Sequence, residues 1–181
     1  MQQWRKAVSQ RESVLAIANP TEYYIQRYAR FAAPIAKKVS DELSVAGKLT
    51  PEQLQQAAQQ GFKSVLNLRS PDEPGFLSDE QQQAQAAGLD YANIPLQSSE
   101  PDLISTKEAI RATENLPKPI LIHCAAGARA GGIALIATAI QQGLTYEQIQ
   151  EKAQQVDLDL NQPHLQQFLL ENYTTKQETE S

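Results

Sequence analysis

An α/β fold with a small, mostly parallel sheet flanked by helices is what this sequence predicts, on three observations. From residue 41 onward, strand-like and helix-like segments alternate. Gly47, Gly61, Gly88 and Gly143 punctuate the boundaries between them. The run Ile120-Leu121-Ile122 carries no polar alternation, as expected of a central parallel strand covered on both faces.

The elements follow in order. Leu43 and Val45, stopped by Gly47, form a short first strand. Thr50 is placed to cap a helix over 51–60, with Pro51 at its first position and Gly61 beyond its end. Ser64 to Arg69 is the next strand. Ser78 is expected to cap a helix through Ala87, and Tyr91 to Leu96 forms a third strand. Leu103, Ile104, Ala109, Ile110 and Leu116 fall at helical spacing over 103–115. Pro117 and Pro119 turn the chain into the strand at 120–123. A long Ala/Ile-rich helix then runs to Gln142, Thr145 opens another, and Pro163 opens a last one through Tyr173.

Composition sets the outer bounds. The 181 residues suit one domain, and 41% hydrophobic residues can build its core. A net charge of −5 argues against a general nucleic-acid binder, which needs a basic face. Residues 1–40 hold seven basic and two acidic side chains, so they are expected to form a helical extension to a domain over 41–173. Trp4, Tyr23, Tyr24, Tyr28 and Phe31 fall there at near-helical spacing and read as a packing stripe. Thr174 to Ser181 is expected to be a disordered tail. No apolar run reaches membrane-spanning length, and one cysteine excludes an internal disulfide; a cytoplasmic setting is the expectation. Neither a metal nor a cofactor is expected.

The informative segment is His123-Cys124-Ala125-Ala126-Gly127-Ala128-Arg129. It places Cys124 at the carboxyl end of the central strand, where α/β proteins build their sites. The residues Ala125, Ala126, Gly127 and Ala128 are small enough for their backbone N–H groups to turn inward as an anion-binding nest at a helix N-terminus. Arg129 would add a planar two-pronged donor. Thiols in such surroundings are favoured as nucleophilic thiolates. The plainer alternative is a small buried cysteine in a strand-ending turn. His123, one residue earlier, should point away from the pocket and hydrogen-bond the loop backbone, giving it a shaping role. His164 reads as a surface or capping residue.

This segment resembles the phosphate-binding loop of the Cys-dependent tyrosine and dual-specificity phosphatases, whose hallmark is His-Cys, two residues, Gly, two residues, Arg. His123, Cys124 and Gly127 fall in register. Gly143 to Glu147 and Gln162 to Leu169 resemble their closing helices. Leu43 to Gly47, Pro51 to Leu54, Gly61 to Arg69 and Gly88 to Tyr91 are more specifically similar to the phosphatase-like domain of beta-lactamase-hydrolase-like proteins.

The resemblance implies a phosphoester hydrolase, in the manner of a protein phosphatase, working through a thiophosphoryl-cysteine intermediate on a phosphorylated substrate. Cys124, Arg129 and an acid would be catalytic, with residues 125–128 and Arg69 binding substrate. Arg129 stands one position earlier than the hallmark, leaving Ala130 at the usual arginine position. That shorter loop resembles the rhodanese sulfurtransferases, so persulfide transfer by the same cysteine, or plain anion binding, stays open. The acid is expected at Asp102, with Asp72 and Glu100 as alternatives. A helix N-cap is the competing role for Asp102, and a salt bridge to Glu73 the competing role for Arg69.

Overall fold

The computed structural model describes residues 35–173. Residues 1–34 of the extension expected over 1–40, with the aromatic stripe, and the tail over 174–181 lie outside the described residues.

Five strands make one sheet: β1 (Lys37–Lys38), β2 (Leu43–Ala46), β3 (Ser64–Asn67), β4 (Asp90–Asn93) and β5 (Ile120–His123), in the order β1-β2-β5-β3-β4. Only β1 is antiparallel to its neighbour, pairing Lys37 with Val45 and Lys38 with Ser44. The other three pairings are parallel. β1 lies before the expected boundary at residue 41: this two-residue exposed edge strand is too short and too charged to read as a strand, yet it pairs with β2.

Among the described residues, six helices flank the sheet: α1 (Pro51–Gln59), α2 (Glu80–Ala86), α3 (Leu103–Asn115), α4 (Ala128–Gln142), α5 (Tyr146–Gln155) and α6 (Pro163–Tyr173). Two cores separate by strand periodicity. Leu121 of β5 and Val65 of β3 face Leu54 and Ala57 of α1 and Ala84 of α2. Ile120, Ile122 and Leu66 face the opposite core, built with Ala109 of α3, Ile133 and Ile136 of α4, Ile149 of α5, and Leu165 and Leu169 of α6. This is why β5 shows no polar alternation: both of its faces are dry. Each such leucine or isoleucine contributes roughly 1.5–3 kcal/mol on burial.

α4 is the central helix, with every residue from Arg129 to Ala139 buried. Its uniformly small and apolar sequence fits that position, since it has no solvent face over its first three turns. Thr50 and Thr145 cap α1 and α5 through reciprocal bonds with Gln53 and Gln148. Ser78 does not cap α2, which starts later, at Glu80. Glu80, its first residue, is buried and meets His123.

Candidate active site

The loop after β5 begins at Cys124 and ends in the first turn of α4. Gly127 has φ +94°, a left-handed backbone that side chains resist and glycine adopts freely. That turn brings the Gly127 N–H onto Cys124 Sγ at 3.1 Å. The loop rests on the end of β2, with Cys124 N donating to Ala46 O at 3.3 Å and Lys48 N to Ala125 O at 3.1 Å. Gly47 permits this approach, because a Cβ there would sit 3.3 Å from Ala125 O. Among the described residues, no acceptor meets the amides of Ala125, Ala126, Ala128 and Arg129. These amides, at the start of α4, are free to take an acceptor.

Cys124 is only 1% exposed, at the roof of the core shared with Ile122 and Ala130. Its sulfur nonetheless has a polar partner, accepting from the Gly127 amide. Arg129 itself is buried, and its two-pronged edge is not presented to the loop as expected. Its Nη1 and Nη2 donate to Glu73 Oε1 and Oε2 at 2.6 and 2.8 Å. Nη1 also reaches Leu96 O at 2.7 Å and Leu68 O at 3.2 Å. The guanidinium is thus fixed by the ends of two strands and one carboxylate. Its pKa is raised, first by Glu73, with the Cys124 side chain adding to the effect.

Glu73 is the residue that the sequence reading placed only as a partner for Arg69. It sits on the turn between β3 and α2, and its carboxyl is lowered from 4.5 to about 2, chiefly by Arg129. Ser70 N donates to it at 2.9 Å and Arg69 Nε approaches at 3.5 Å. Arg69 does not line the pocket mouth. It is buried, and its Nη1 and Nη2 tie the carbonyls of Gly75 and Pro74 at 2.8 and 2.7 Å, bracing the turn that presents Glu73. A motif Arg-x-x-x-Glu after a buried strand was the available signal, but nothing in it indicates that Arg129 is the second partner.

The expected acids stand differently. Asp102 is the N-cap of α3, accepting from Ile104 N at 3.2 Å, Ser105 N at 3.0 Å and Ser105 Oγ at 2.5 Å. Those donors, Ser105 first, lower its pKa, which is opposite to what a general acid needs. Asp72 and Glu100 are exposed on their loops.

The histidines also depart from expectation. His123 does point away from the loop, but its Nε2 meets Glu80 Oε1 at 2.5 Å in a fully buried pair instead of bonding loop backbone. Tyr91 lies beside that pair and takes a bond from Asn67 Nδ2 at 3.0 Å; burial first, then Glu80, pushes its phenol up to about 12. His164 is buried, not on the surface, and bridges Thr106 Oγ1 and Gln97 O, each at 2.9 Å. It thereby anchors the loop that leads from β4 past Leu96 to α3.

Comparison with known proteins agrees with this architecture. The profile of the beta-lactamase hydrolase-like protein, phosphatase-like domain, matches residues 36–144. The beta-lactamase hydrolase-like protein of Agrobacterium fabrum is 27% identical over 132 residues, which cover 69% of this chain and 30% of that relative. The chain therefore spans less than a third of that curated relative. Among solved structures, a candidate phosphatase of Shewanella putrefaciens has TM-score 0.64 and 23% identity, covering 78% of this chain and 90% of its own. Tk-PTP in its active form has TM-score 0.65 and 20% identity, covering 76% and 95%. No helix among the described residues is long and apolar enough to cross a membrane. With its parallel sheet, its cysteine loop and this profile match, the chain belongs to the phosphatase-like domain family of the beta-lactamase hydrolase-like proteins.

Proposed function

We propose that this domain is a cysteine-dependent phosphatase that transfers a phosphoryl group to Cys124 and then to water. The observation that carries the reading is the Gly127 N–H on Cys124 Sγ at 3.1 Å, in a loop whose other amides meet no acceptor among the described residues. In the first step the thiolate attacks phosphorus; the S–P bond forms as the P–O bond to the leaving group breaks, and that oxygen keeps the electron pair. The equatorial oxygens take the amides of residues 125–129 and the donors that Glu73 leaves free on Arg129. In the second step water attacks phosphorus, the S–P pair returns to sulfur, and inorganic phosphate departs with the proton passed to solvent.

Glu73, Leu68 and Leu96 hold the guanidinium in place before substrate arrives, so little reorganisation accompanies binding. The fixed backbone dipoles and guanidinium carry the charge stabilisation of this mechanism. The test is turnover of p-nitrophenyl phosphate by the wild type and Cys124→Ser, with vanadate as inhibitor. Loss in the variant and competitive vanadate inhibition are expected. Thiocyanate production from thiosulfate and cyanide, without phosphate release, would instead assign the same cysteine to sulfur transfer.

A further inference from the structure

Resting on the phosphatase reading, the fate of every carboxylate near the loop bears on which phosphate compounds this site can cleave. Arg129 is bracketed by two connections, the turn after β3 and the loop from Leu96 to Asp102. These carry five carboxyl groups, of which Asp79, at the head of α2, accepts from Gln83 Nε2 at 2.6 Å. Glu73 is spent on two arginines and the Ser70 amide. Asp102 is spent on three donors at the head of α3, its carboxyl held below the usual range. Asp72 and Glu100 are exposed on their loops.

The loop packed against the first turns of α4 adds two more. Asp157 pairs with Lys37 at 3.2 Å, and Asp159 accepts from Asn161 N at 2.9 Å. Among the described residues, then, each of these carboxyl groups either meets a donor or lies exposed on its loop, and Glu80 is buried against His123 Nε2. A leaving oxygen here departs without a positioned proton donor.

We propose that the site selects phosphoryl groups carried on weakly basic leaving oxygens, namely phosphoanhydrides, acyl phosphates and esters of acidic phenols, over phosphate esters of ordinary alcohols. When the conjugate acid of the leaving group is strong, the P–O bond breaks to give a stable anion and no protonation is required. When it is weak, the alkoxide must be protonated as it leaves, and general acid help worth about 10²–10⁴-fold is forgone. The shared chemistry is the acidity of the leaving group, and the arms of the test separate its sources.

The experiment measures kcat/KM of the full chain for p-nitrophenyl phosphate, phenyl phosphate, acetyl phosphate and glycerol 2-phosphate. A fall of about 10²-fold or more from the nitrophenyl to the phenyl ester is expected. Acetyl phosphate should be turned over, and glycerol 2-phosphate should not. Asp102→Asn and Glu100→Gln should leave the nitrophenyl-to-phenyl ratio unchanged. Similar rates on the two aryl esters, ready hydrolysis of glycerol 2-phosphate, or a variant that slows phenyl phosphate alone would overturn the inference while leaving the phosphatase reading intact. Silence on every compound, acetyl phosphate included, would overturn that reading and this inference with it.

Discussion

Replacing Glu73 with glutamine removes the charge that two buried guanidiniums share, while keeping the side chain's size and one acceptor oxygen. The carboxylate takes Arg129 Nη1 and Nη2 at 2.6 and 2.8 Å, and its side chain is 22% exposed. Its pKa falls from 4.5 to about 2, with the Arg129 hydrogen bonds the largest cause. At about 1.4 kcal/mol per pH unit, that depression corresponds to about 3 kcal/mol of folding free energy. The folded-state value lies below the unfolded one, so the contribution is present in full above about pH 5 and drains as pH falls toward 2. About 2 kcal/mol of it is gone by about pH 3. Urea unfolding of E73Q against wild type should therefore show a gap of about 3 kcal/mol at pH 7 that narrows to about 1 kcal/mol near pH 3. Turnover of p-nitrophenyl phosphate should fall as well, because Arg129 loses its anchor. A gap of equal size at both pH values, or none at pH 7, would refute the reasoning.

Three further outcomes are expected. Gly127→Ala forces a side chain onto φ +94° and should cost about 1–2 kcal/mol while weakening vanadate binding, read by unfolding and by inhibition at a common pH. Asp102→Ala removes the cap of α3 and should lower Tm, whereas Asp102→Asn, which can still cap, should not; neither should slow p-nitrophenyl phosphate turnover. Glu80→Ala leaves His123 Nε2 buried without its partner and should destabilise by about 1–3 kcal/mol; a near-neutral effect in urea unfolding would show that the pair contributes nothing net.

What the sequence by itself determined was whatever lies close along the chain. The strand, small-residue turn and helix around Cys124 are contiguous, so the sulfur's place at the end of β5 and the Gly127 turn followed from residue types and spacing. The same holds for Thr50 and Thr145, whose capping partners stand three residues on, and for the N-cap alternative at Asp102. The tertiary structure decided the contacts made across the sheet. Glu73 meets Arg129 across 56 positions and Glu80 meets His123 across 43, separations at which local pattern carries no information about pairing. Strand order brings these groups together: β5 inserts between β2 and β3, so the turn after β3 lands beside the helix that follows β5. Identical charged residues on an unpaired loop would stay in water. The enclosure of Arg129 against two strand ends made a carboxylate partner necessary, since a buried guanidinium without one is costly.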